Sequence, residues 1–286
     1  TKPGDPMIVC VADLQLGKAG ERLGGTKQLI RRFHSVLAQL RGIMEHERPS
    51  ELVIADLGDS IENVTSHTGS SQAASNDLPV SEQMRVVARL FMEAVTTLSP
   101  YAGRTVLAGV RSNHGEERLA DGKTNQRGDY GTAVIGMVGD ALAALDSTVE
   151  TVVQNPLEPG VRMTVGGMPI ALTHGHDAKR VTRMGDWVAH QSGGLRPSVF
   201  DGVGLVLHGH YHHLTVQESR GRLIIGCPSL ESGSDWLAKS CGEYSLPGLL
   251  TLRVHDGRPA DIRVLTPTWG MTPVRDVAEE EREWQD

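Results

Sequence analysis

Aromatic side chains make up only 4% of this 286-residue chain. Its core must therefore rest on Val, Leu, Ile, Ala and Met, and a hydrophobic content of 39% supplies enough of them for a sizeable one. Cysteine is also scarce. The three present, Cys10, Cys227 and Cys241, cannot all pair, which excludes a disulfide-stapled scaffold and leads us to expect reduced core thiols in a cytoplasmic protein. No apolar run approaches the roughly 18 residues of a membrane span, and no signal-peptide pattern is read. The chain opens on Thr1 rather than methionine, which leaves room for an upstream segment. Basic residues do not dominate: 28 Lys and Arg stand against 35 Asp and Glu, for a formal charge of −7. Any basic footprint for nucleic acid must then be local, although bound metal ions would add positive charge at a site.

What the chain does contain is five short segments rich in metal-ligating residue types. They are Asp13-Leu14-Gln15, Gly58-Asp59, Asn113-His114, His174-Gly175-His176 and Gly209-His210-Tyr211-His212, the last preceded by His208. Each directly or closely follows an apolar run that reads as a buried strand: 7–12, 52–57, 105–110, 169–173 and 203–207. The candidate ligands should therefore gather along one edge of a sheet.

Between these runs lie helical stripes at 26–46 and 81–98, with Thr26 and Ser81 as the N-cap candidates, and an Ala- and Gly-rich helix at 131–145. After Leu207 the texture turns to short strands at 213–217, 221–226, 249–254 and 261–265. Alternating strands and helices followed by a strand-rich end suit an α/β protein with two packed sheets flanked by helices. No internal repeat or interdomain linker is visible, so residues 1–286 read as one domain. The polar stretch 63–77 follows Asp59 closely and is expected to form a mobile loop or lid over the site.

Carboxylate, amide and imidazole donors together suit manganese, iron or zinc better than an all-oxygen calcium site or an all-thiolate zinc site. Two divalent ions about 3.5 to 4 Å apart can polarise a phosphoryl oxygen and generate hydroxide at neutral pH. A carboxylate can bridge them.

In order and content the five segments resemble the calcineurin-like metallophosphoesterase superfamily, whose pattern runs DxH, GDxxD, GNH, HG, GHxH. The resemblance spans about residues 7–230 and implies a four-layer αββα sandwich with two central mixed sheets and the metal site at the strand ends. It assigns Asp13, Gln15 and His212 to a first ion, Asn113, His174 and His210 to a second, and Asp59 to the bridge. The ions are expected to be manganese, with iron, zinc or magnesium as alternatives. His114 matches the family histidine that faces substrate, stabilising phosphoryl oxygens or protonating the leaving oxygen. Glu62 stands where part of the family has an aspartate orienting that histidine. Arg111, His176 and His208 are candidates for substrate contact, and Gly226-Cys227-Pro228-Ser229 resembles the family's late Gly-Ser-Pro turn.

Two positions depart from the family pattern. Ser112 replaces the glycine before Asn113, and Gln15 replaces a histidine, giving a weaker ligand for transition metals. The implied activity is hydrolysis of phosphodiester bonds by a metal-bridging hydroxide. Asp13-Leu14-Gln15-Leu16-Gly17 is similar to the opening of double-strand-break repair nucleases of the SbcD type, which points to DNA as substrate. The alternatives are a small-molecule nucleotide phosphodiesterase or phosphatase, and a metal-poor binding protein in which Gln15 has cost the site an ion. No membrane partner is expected, and the oligomeric state is open.

Overall fold

A computed structural model describes residues 1–19, 23–63, 76–118, 124–194, 196–231 and 245–269. Two mixed sheets lie face to face at its centre. The first has six strands in the order β13-β12-β1-β2-β3-β6, where β1 is Met7–Val11, β2 Glu51–Asp56, β3 Arg104–Gly109, β6 Glu150–Val153, β12 Leu249–His255 and β13 Arg258–Leu265. The second runs β10-β11-β9-β8-β7, where β7 is Val161–Val165, β8 Met168–Thr173, β9 Leu205–His208, β10 Thr215–Ser219 and β11 Arg222–Gly226. A small hairpin of β4 (Glu116–Arg118) and β5 (Thr124–Asp129) stands apart from both.

Strand alternation divides the apolar residues among three interfaces, because neighbouring side chains in a strand point to opposite faces. Val9 and Val11 of β1 and Leu52 and Ile54 of β2 pack under helices α1 (Thr26–Glu47), α2 (Val80–Leu98) and α3 (Tyr130–Ala144). Ile8, Cys10, Val53 and Ala55 face inward and meet Ile170, Leu172, Leu205 and Leu207 of the second sheet. Ala171, Val206 and Ile224 face outward again, against Met184 and Val188 of α4 (Met184–Gln191). Three apolar interfaces make four layers, the expected αββα sandwich. Cys10 and Cys227 are buried free thiols in the central layer. Cys241 lies outside the described residues, and so do 64–75, most of the expected lid. Among the described residues no helix is long and apolar enough to cross a membrane.

The helix starts differ from expectation. Gly25 and Pro79 occupy the N-cap positions of α1 and α2, and neither offers a capping side chain. Thr26 is instead the first residue of α1, and the carboxylate of Asp77 accepts from both its backbone N–H and its hydroxyl at 2.7 Å. A side chain 51 positions away thus does the capping. Ser81 lies inside α2. Asp129 caps α3 by accepting from Thr132 N–H at 2.7 Å, and its other oxygen accepts from Ser112 N–H at 3.1 Å. One aspartate therefore ties a helix start to the loop that carries Asn113.

Strand register places the site. Val11 lies beside Asp56, and Asp56 beside Gly109, so parallel β1, β2 and β3 end level with one another. Thr173 of β8 lies beside His208 of β9, and His208 beside Gly226 of β11. Asp13, Asp59, Asn113, His174 and His210 follow within one to four residues of those ends. Both sheets thus deliver their loops to one edge, the carboxyl ends of their parallel strands, where open α/β sheets place ligands.

Candidate metal centre

The backbone bends sharply at the candidate ligands. Asp13, Gln15, Asp59, His210 and His212 all have positive φ, between 44° and 73°. That region is uncommon for residues with a Cβ and costs about 1 to 3 kcal/mol each, so its recurrence at one locus marks strain held for a purpose. Glycines make room for it. A Cβ on Gly58 would come within 2.6 Å of Ser112 Cβ and 2.8 Å of His174 Nδ1, and one on Gly209 within 2.8 Å of Asp13 Oδ2. Ser112 is tolerated where the family pattern has glycine because its neighbour across the site is Gly58. Its hydroxyl accepts from Gly115 N–H at 3.1 Å and closes the turn around Asn113.

Asp59 and His174, each 1% exposed, form the centre of the cluster. The Leu57 carbonyl lies 2.8 Å from His174 Nδ1 and can only accept, so Nδ1 carries a hydrogen. His174 Nε2 then faces Asn113 Oδ1 at 2.9 Å and Asp59 Oδ2 at 3.1 Å. Asp59 Oδ2 is buried, and its polar neighbour in the cluster is His174 Nε2. A neutral imidazole would bring three lone-pair atoms together with nothing between them, an arrangement that calls for a proton or a metal cation at Nε2. His210 completes the group: among the described residues, Asp59, His174 and His210 are the one set of three carboxylate or imidazole ligands whose atoms converge within 4.8 Å. These donors, with the Asn113 amide oxygen, fit a divalent transition metal.

Protonation agrees with that reading. Burial opposes the charge on His174, but Asp59 and Asp13 outweigh it and push its pKa up to about 9. Burial likewise opposes ionisation of Asp59, yet His174 and His114 hold it well below the ordinary carboxylate range. Burial and the neighbouring His174 charge push His210 down to about 2, leaving a neutral imidazole ready to ligate. A proton on His174 Nε2 occupies the place that an ion would take. Ion binding should therefore release a proton, and apparent affinity should rise from pH 7 to about 9 and level off above. Calorimetry in buffers of differing ionisation enthalpy reads that proton, and an affinity flat over the range would contradict it.

The other half of the site is built differently. Both oxygens of Asp13 accept from His210 N–H, at 3.1 and 2.9 Å, and Oδ1 lies 3.4 Å from His212 Nε2. His212 Nδ1 lies 3.0 Å from Glu231 Oε1, whose other oxygen pairs with Lys18 Nζ at 3.1 Å. Lys18 Nζ also donates to Gln15 Oε1 at 3.4 Å. Burial opposes the charge on His212, but Asp13 and Glu231 raise its pKa to about 10, and Lys18 and His212 together lower Glu231 to about 2. Ser229 of the late turn donates to the Asp13 carbonyl at 2.9 Å and accepts from Glu231 N–H. The buried Arg32 guanidinium of α1 clamps the neighbouring Leu230 carbonyl at 2.7 Å. Glu231 and Arg32 carried no local sequence signal.

His114 stands at the rim with its side chain 11% exposed. Its Nδ1 lies 3.2 Å from the Glu62 carbonyl and 3.5 Å from Glu62 Oε2, and its Nε2 faces the cluster at 4.0 Å from Asp59 Oδ2. Burial opposes its charge, but Asp59 and Glu62 raise it to about 9. Asp59 Oδ1 accepts from His114 N–H at 2.9 Å, and Asn63 Nδ2 donates to the His114 carbonyl at 2.7 Å. Asn63 is a further positioning residue that the sequence did not single out.

The three expected substrate contacts lie differently. His176 joins the cluster, its ring 5.4 Å from that of His174 and 6.2 Å from that of His210. His208 is 1% exposed, its Nδ1 donates to the Gly209 carbonyl at 2.9 Å, and its ring meets Tyr211 edge-on. Burial at the end of β9 removes it from substrate reach. Arg111 directs its guanidinium to the Gln126, Gly128 and Pro156 carbonyls, so it fastens the hairpin to the site edge.

No protein-family profile and no curated protein sequence matches this chain. Solved structures do. An archaeal phosphodiesterase is 12% identical, over 91% of this chain and 99% of its own, with a TM-score of 0.41. Zinc-complexed Vps29 from Entamoeba histolytica is 11% identical, over 91% and 98%, with a TM-score of 0.41. A protein from Streptococcus pneumoniae described as a predicted phosphoesterase is 12% identical, over 91% and 88%, with a TM-score of 0.39. Likeness at this level assigns no activity to the chain.

Proposed function

We propose that this chain is a divalent-metal-dependent phosphoesterase that hydrolyses phosphodiester bonds at the shared edge of its two sheets. The observation that carries the reading is the convergence of His174 Nε2, Asn113 Oδ1 and Asp59 Oδ2 in a buried site, with the His210 ring beside them. Asp59, Asn113, His174 and His210 would hold one ion, and Asp13, Gln15 and His212 contribute the donors of the adjoining half. Bound there, manganese, iron or zinc would supply Lewis-acid polarisation of a phosphoryl oxygen and lower the pKa of water.

The protein's own groups supply orientation and a proton. Glu62 holds His114 at Nδ1, by carbonyl and carboxylate, so that Nε2 turns toward the cluster. A proton on Nε2 is then placed to reach a phosphoryl or leaving oxygen, a contribution of about 10² to 10⁴ in rate. Asp59 fixes the His114 backbone, so this carboxylate and the acid are held in register.

The leaning toward DNA rests on the likeness of Asp13 to Gly17 to the repair-nuclease opening, and the diester preference is the part open to direct assay. Purified protein with added manganese is expected to cleave bis-p-nitrophenyl phosphate faster than p-nitrophenyl phosphate. Chelator should abolish the activity and fresh manganese restore it. Hydrolysis that chelator leaves unchanged would refute the reading. Single-stranded and duplex DNA as competing substrates separate the nuclease from the small-molecule diesterase.

A further inference from the structure

The two halves of the centre are unequal. The half at Asp59 has its ligand atoms converging on one another, with Asp59 Oδ2 facing His174 Nε2 at 3.1 Å. In the half at Asp13 every donor atom of the expected set is already engaged. The Gln15 carbonyl oxygen accepts from Lys18 Nζ. Both Asp13 oxygens accept from His210 N–H. His212 lies between two carboxylates, Glu231 at Nδ1 and Asp13 at Nε2. The Lys18 ammonium that closes this network is largely buried, its side chain 16% exposed against 3% for Glu231.

We propose that Lys18 is a resident cation in the half of the centre built on Asp13, Gln15 and His212, so that the chain holds one divalent ion tightly and a second only weakly. The inference rests on the metal-centre reading above and adds to it an asymmetry particular to this chain. Its physical basis is the pairing of residues 15 and 18. Glutamine offers an amide oxygen that an ammonium can hold as well as a metal can, and it is a weaker transition-metal ligand than the imidazole of the family pattern, so the compact lysine cation competes better for it. A positive charge fixed beside a cation site opposes a second cation directly, and its pairing with Glu231 neutralises a carboxylate that would otherwise attract one.

Manganese titration of the purified chain, read by calorimetry and native mass spectrometry, tests this without any assay of turnover. Wild type should bind one ion tightly and a second at least about tenfold more weakly. Lys18→Met should tighten the second ion by on the order of tenfold and leave the first unchanged, which also shows that the variant is folded. Lys18→Arg, which keeps the charge, should behave as wild type. Two ions of equal affinity in wild type would overturn the inference and leave the metal centre standing, as would a Lys18→Met variant whose second ion binds no tighter. A wild type that binds no ion would overturn both.

Discussion

Asp59→Asn is expected to reduce phosphodiester turnover by on the order of 10² to 10⁴ while the protein remains folded. Polarisation by a metal is worth several kcal/mol of barrier, and each 1.4 kcal/mol or so is a factor of ten. The substitution is close to isosteric. The amide oxygen can keep the 2.9 Å bond from His114 N–H, and the new NH₂ can donate to a neutral His174 Nε2, which lies 3.1 Å away in the parent. The geometry of the cluster therefore survives and the anionic ligand does not. Bound manganese should fall in parallel with activity. Turnover unchanged from wild type would mean that the carboxylate is a structural group at a strand end.

His114→Ala should separate the two properties. Its side chain faces the cluster from the rim, 4.0 Å from Asp59 Oδ2, and is not one of the three converging ligands, so metal content should remain near that of wild type. Turnover should fall by about 10² to 10⁴, the usual contribution of a placed general acid. The backbone N–H that Asp59 accepts from is untouched by the change. Loss of a metal ion from this variant would make His114 a ligand and reverse its assigned role.

Much of the site was legible because parallel strands buried on both faces read as continuous apolar runs. The ends of such runs locate the residues that follow them, and Asp13, Asp59, Asn113, His174 and His210 are all of that kind. The strands that escaped notice lie at edges or are short and polar. β6 is four residues, Glu150–Val153, largely exposed at the margin of its sheet, and the hairpin strand β5, Thr124–Asp129, contains no apolar side chain. Caps were misjudged at Thr26 because the group that satisfies the helix start, Asp77, comes from a distant loop. Arg32, Asn63, Asp129 and Glu231 went unseen for the same reason. Each is an ordinary polar residue in its own neighbourhood, and its role exists only through a partner brought near by the fold. His208 shows the converse. Its place beside His210 suggested the site, whereas strand alternation and the Tyr211 ring bury it.

The centre itself can be examined by soaking crystals with manganese and collecting anomalous diffraction near the manganese edge. A peak within coordination distance of Asp59 Oδ2, Asn113 Oδ1, His174 Nε2 and the His210 ring is the expected result, stronger than any peak beside Asp13 and Lys18. Ordered crystals with no anomalous peak at those four residues, at manganese concentrations that support turnover, would contradict a metal-dependent chemistry at this edge of the fold.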